Sequence, residues 1–128
     1  MRTLHLAAGW LFAAIFAGTG AWMRYSFPEA HHDDHGMRMM FRASHIYILL
    51  SALIHLAIGV QWRPSSRPTL QRLGSAALFI ATLLFLTSFF TEPAIGEINR
   101  PLVSFGAYFS VAGIALSLLA ARGSAKDG

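Results

Sequence analysis

The chain has 128 residues, 55% of them hydrophobic and 12% charged, where a soluble domain carries about a quarter charged residues. With no cysteine, disulfides, thiolate metal sites and iron–sulfur clusters are excluded. The formal net charge of +4 comes from basic residues set singly at the ends of apolar runs. That is how membrane proteins distribute them, and no nucleic-acid partner is expected.

The first apolar run is Leu4–Met23, LHLAAGWLFAAIFAGTGAWM. Arg2 before it and GTGA near its end would suit a signal peptide, but the run is longer than a usual signal core and reads as a retained helix. Ala14, Gly18 and Ala21 share one side of it, with Ala17 and Gly20 adjoining. Most of the chain's Trp and Tyr residues lie near run ends, as interfacial aromatics do; Trp10 sits deepest and reads as a packing residue.

A polar stretch follows. Ser26 suits a helix cap, Pro28 a first turn, Glu29 the far member of a capping box and Gly36 a stop. These signals predict a short helix of about two turns lying on the outer membrane surface. The second run is Ala43–Trp62, ASHIYILLSALIHLAIGVQW. After RPSSRPTLQR comes Leu73–Phe90, and after TEPAIGEINRP comes Leu102–Ala121. In the last run Gly106, Ser110, Gly113 and Ser117 form one continuous small stripe, which lets backbones approach where no hydrophobic force joins helices. It is expected to form a seam inside the bundle, the other possibility being a face for another subunit. Pro64, Pro68 and Pro101 punctuate loops or helix starts.

All four runs lack Asp, Glu, Lys and Arg, and a hydrocarbon core of roughly 30 Å takes about 20 helical residues. Lipid offers no partner for open backbone groups, so the runs must be helices. The expected fold is all-α: one integral membrane domain over residues 1–128, with spans at 4–23, 43–62, 73–90 and 102–121. Short connections make it an up-down four-helix bundle, with the interfacial helix between helices 1 and 2. No internal repeat is expected.

Charge sets the orientation. The connection holding Arg63, Arg67 and Arg72 has no acid, and Arg2, Arg122 and Lys126 lie on the same side with Asp127 as its one acid. The other side mixes Arg24, Arg38, Arg42 and Arg100 with Glu29, Asp33, Asp34, Glu92 and Glu97. Lys/Arg excess marks the cytoplasmic side. Both termini are therefore expected in the cytoplasm of a bacterial inner-membrane protein, with the His-rich segment in the periplasm.

That segment, EAHHDDHGMRMMFRASH, carries the candidate chemistry. His31, His32 and His35 fall at i, i+3 or i+4 spacings and, with Asp34, could hold a divalent ion. The neighbouring methionines Met37, Met39 and Met40 would favour copper(I). The plainer reading is a solvated polar loop. His45 stands one turn inside the second span with Arg42 one turn above it. That order suits haem b, with imidazole on the iron and guanidinium on a propionate; Met23, or His45 of a second copy, is the candidate opposite ligand. The alternative is an interfacial imidazole bonded to Ser44, Tyr25 or a loop carbonyl. His55 lies deep, where an ionisable group should face inward and find a partner, expected at Ser51 or a neighbouring helix. His5 lies on the same side of the membrane but ~6–9 Å shallower by helical rise, so the two meet only if the helices are offset. Glu92 and Glu97 could neutralise Arg24, Arg38 or Arg42, or complete a metal site with the histidines. The spans carry no carboxylate, which disfavours an exporter built on a buried acid.

The expectation is a non-enzymatic membrane protein, a structural or accessory subunit of a membrane complex. Its partners would be the lipid bilayer and other subunits, or a second copy, through small-residue helix faces. The alternative is a haem- or transition-metal-binding membrane protein with its site on the outer side. A third, more distant reading is a small transporter with His45 and His55 along its path.

Overall fold

The computed structural model describes residues 1–30, 35–95 and 99–124. It is all-helical: α1 (Arg2–Ala30), α2 (His35–Gln61), α3 (Pro68–Ile95) and α4 (Pro101–Ser124). All four are long and apolar enough to cross a membrane. Two of the prolines singled out above, Pro68 and Pro101, are the first residues of their helices, where a missing N–H costs nothing.

The helices outrun the apolar segments, chiefly on the His-rich side. With 29 residues, α1 is about 43 Å long at 1.5 Å per residue, against a hydrocarbon core of roughly 30 Å. Hydropathy marks only the part that suits lipid, whereas backbone hydrogen bonding continues into the polar flanks. Ser26–Ala30 continue α1, and Gly36 stands in the first turn of α2. The Ser26 cap and the Gly36 stop are therefore not realised, and only 31–34, which lie outside the described residues, separate the two helices.

α1 packs on α2, α2 on α3, and α3 on α4. Two small apolar cores fill the first three helices. Ala8, Phe12 and Ala52 form one, and Phe41, Ile48 and Phe89 form the other, with Ile15 and Leu86 touching both. The α4 stripe is an internal seam: a Cβ on Gly113 would lie 2.6 Å from Leu78 Cγ and 3.0 Å from the Gly74 carbonyl, and one on Gly106 2.7 Å from the Phe85 ring.

The small residues of α1 behave differently. Ala14, Ala17, Gly18 and Ala21 are exposed, and a Cβ on Gly18 would meet nothing within 4 Å. Trp10 is 69% exposed, facing outward rather than packing. The tight approach of α1 to α2 lies earlier in the chain, at Gly9.

Candidate functional site

Polar side chains are buried at both ends of the bundle. At one end His5 and His55 are both fully buried, and their Nδ1 atoms lie 2.8 Å apart. His5 Nε2 is 3.0 Å from Ser75 Oγ, and His55 Nε2 is 3.0 Å from Thr82 Oγ1. Ser75 and Thr82 stand about two turns apart on one face of α3, so a single helix engages both rings.

The proton positions follow from one carbonyl. Thr82 Oγ1 donates to Leu78 O at 2.8 Å, which uses its single hydrogen, so it accepts from His55 Nε2–H. A neutral His55 then accepts at Nδ1 from His5 Nδ1–H, and His5 Nε2 accepts from the Ser75 hydroxyl. The chain runs in one direction, Ser75 to His5 to His55 to Thr82 to Leu78 O. All four ring nitrogens are engaged.

The offset that brings the two histidines level has a local cause. Residues 5–9 read HLAAG and residues 55–59 read HLAIG. In the crossing, a Cβ on Gly9 would lie 2.5 Å from Leu56 Cγ, and one on Gly59 2.7 Å from Leu6 Cδ2. Each glycine receives the leucine of the other copy, and each histidine meets its counterpart. This five-residue match was legible in the sequence, where no internal repeat was expected, although helical rise alone set the two histidines ~6–9 Å apart in depth. Ser51 is buried nearby, but the partners of His55 come from α1 and α3.

At the other end the centre is Glu92, 3% exposed. Because α3 runs to Ile95, this carboxylate lies inside the helix and is buried. Its Oε2 accepts from Ser88 Oγ at 2.8 Å and from Arg100 Nε at 3.2 Å. Its Oε1 accepts the backbone N–H of Leu102 at 2.7 Å and of Val103 at 3.4 Å. A carboxylate here satisfies donors that the start of a helix leaves open and meets its positive dipole end. The Arg100 guanidinium also donates to Ser44 Oγ and, at 3.4 Å, to Ser88 Oγ. Helices α2, α3 and α4 thus meet in one knot. The arginines weighed above as partners of Glu92 were Arg24, Arg38 and Arg42; the one that pairs with it is Arg100. Eight residues of spacing reveal nothing of that pairing, because the connection between the helices sets the distance.

His45 is half-buried and lies against α1. Thr19 Oγ1 donates to Ile15 O at 2.8 Å and Phe16 O at 3.1 Å, so it accepts from His45 Nδ1–H at 3.0 Å. The partner is thus Thr19, not Ser44 or Tyr25. The ring stacks on Phe16 with centroids 4.0 Å apart and planes 13° apart. Its Nε2 keeps a lone pair and sits beside Gly20, where a Cβ would come within 3.3 Å. Arg42 is exposed one turn above, and Met23 packs against the Phe41–Ile48–Phe89 core.

Of the metal candidates, His31, His32 and Asp34 lie outside the described residues, and His35 opens α2. Among the described residues no three His, Cys, Asp or Glu converge on a point that could hold a metal ion. Comparison of the chain with protein-family models, curated proteins and solved structures finds no match.

Proposed function

We propose that this chain is a non-enzymatic, multi-pass protein of the bacterial inner membrane, a structural or accessory subunit of a membrane complex. The observation that carries this reading is the use made of the buried polar groups. His5, His55, Ser75 and Thr82 at one end, and Ser44, Ser88, Glu92 and Arg100 at the other, are spent on joining helices. Among the described residues no buried side-chain polar atom lacks a partner. Such interiors hold a shape. They do not line a path or present a nucleophile.

The helices run up-down in this proposal, with both termini cytoplasmic. Its supports are the meeting of His5 with His55 and Ser75 at one end, that of Trp22 with Phe41 and Phe89 at the other, and the arginines of the α2–α3 connection. Another subunit, or a second copy, would pack on the outward small face of α1 at Ala14, Gly18 and Ala21, where backbones can approach closely.

Isolation from native membranes in mild detergent, followed by native mass spectrometry, tests the reading. The expected result is a partner or second copy in fixed stoichiometry, lost in Gly18→Leu while helicity is kept. A lone chain, with Gly18→Leu behaving as wild type, would overturn it.

A second reading rests on His45. With Nδ1–H held by Thr19, Nε2 is the free donor, which is the tautomer a haem-ligating or metal-ligating imidazole needs. Under that reading the same preparation shows a Soret band, or bound metal, that disappears in His45→Ala. A metal lost only in His31→Ala/His35→Ala would instead locate the site in the His-rich segment.

A further inference from the structure

Helices α2 and α4 both pack on α3 but make no extensive contact with one another. Between them, at the His5 end, lies a cavity of about 480 Å³. Ile54 and Ile58 of α2 wall one side, Ile114 and Leu118 of α4 the other, and Arg63 and Gln71 line its mouth. From Ile54 to Gln61, the last residue of α2, the groove spans roughly 10 Å along the helix at 1.5 Å per residue.

The mouth is built rather than accidental. Gln71 Nε2 donates to the Arg63 carbonyl at 2.8 Å, and Ser65 Oγ donates to the Ala120 carbonyl at 2.7 Å, which ties the α2–α3 connection beneath the end of α4. The exposed Arg63 is followed by exposed Arg67 and Arg72. No Asp or Glu stands at this end among the described residues. The walls suit hydrocarbon, and among the described residues the charges at the mouth are cationic.

We propose that this groove binds one anionic phospholipid, with an acyl tail between α2 and α4 and the phosphate on Arg63. A groove open sideways within a membrane is filled by lipid, and basic pockets between spanning helices select anionic head groups. The helix pair supplies affinity through apolar area, and Arg63 supplies the choice of head group. This goes beyond the role as a subunit and does not depend on it; the two tests read different variants and different bound species.

The test uses the full chain purified in detergent and exchanged with phosphatidylglycerol or with phosphatidylcholine of the same tails, read by native mass spectrometry. Wild type is expected to retain one phosphatidylglycerol in preference to phosphatidylcholine. Arg63→Gln is expected to lower phosphatidylglycerol retention roughly fivefold, the factor one basic residue near an anionic surface contributes, and Arg63→Lys to keep most of it. Ile114→Trp, which fills the groove from one wall, is expected to lower retention of both lipids. Circular dichroism confirms that each variant is folded; exposed Arg63 is the variant that keeps the test open if Ile114→Trp does not fold. Equal retention of the two lipids by wild type, or unchanged retention in Arg63→Gln, overturns the proposal. So does a lipid-free dimer whose cross-links pass through Ile114 and Leu118, which would give the groove to a second copy.

Discussion

At the His5 end the helices are joined by neutral rings and hydroxyls, and at the Arg100 end by a carboxylate and a guanidinium. Both networks are buried, and both connect three helices, yet they respond differently to damage. Neutral hydrogen bonds between membrane helices are worth little each, because an unfolded chain in lipid also finds partners; measured values average about 0.6 kcal/mol and reach about 1.7. Removing one member of a buried ion pair leaves an uncompensated charge, at about 3–5 kcal/mol; here that charge is Arg100, 17% exposed. Glu92 has a further duty that no histidine shares, since it also closes the open N–H groups at the start of α4.

The largest expected effect is therefore Glu92→Ala, which strands Arg100 and uncaps α4. Its unfolding in mixed micelles, followed by circular dichroism, should show a loss of about 3–5 kcal/mol. Glu92→Leu/Arg100→Leu removes the stranded charge but not the open N–H groups, so it should recover only part of that loss. Next comes His55→Ala, expected to cost about 1–3 kcal/mol by leaving buried donors and acceptors unpaired at His5 and Thr82. His5→Phe/His55→Phe replaces both rings with apolar ones of similar shape, and should lie closer to wild type than either alanine variant. If the two double variants recovered to the same degree, the contrast between the ends would fail.

Gly113→Ala probes the packing rather than the polar groups. Its Cβ meets Leu78 and the Gly74 carbonyl, so α3 and α4 must separate, at about 1–3 kcal/mol. Gly18→Ala, on the open face of α1, should leave the isolated chain unchanged in the same assay. Among the polar variants the smallest effect belongs to Thr82→Val, which removes one neutral acceptor of His55 and should cost no more than about 1.7 kcal/mol. A loss as large as that of Glu92→Ala would show that the histidine chain carries charge.

Several features were readable before the fold was known. The four uncharged apolar runs require helices wherever lipid is the solvent, and Pro68 and Pro101 mark two helix starts. The α4 stripe of Gly106, Ser110, Gly113 and Ser117 was legible as a surface of close helix approach, because small residues at helical spacing let backbones come together. The α1 stripe looks the same in sequence and points the other way, since composition does not say which face of a helix finds a neighbour. The extent of α1 past Met23 and of α3 past Phe90 was hidden for a related reason: apolar runs record where lipid is, not where backbone hydrogen bonding stops.

For this protein, the chain's own chemistry determined four rods and a set of polar groups too costly to leave unpaired in lipid. It did not determine the pairs. His5 meets His55, fifty residues away, because Gly9 and Gly59 let α1 and α2 interlock through Leu56 and Leu6, which sets the axial offset between the two helices. Glu92 meets Arg100 because α3 continues past its apolar run and α4 packs against α3. Burial demands that each such group have a partner. Only the relative height and rotation of packed helices decide which one.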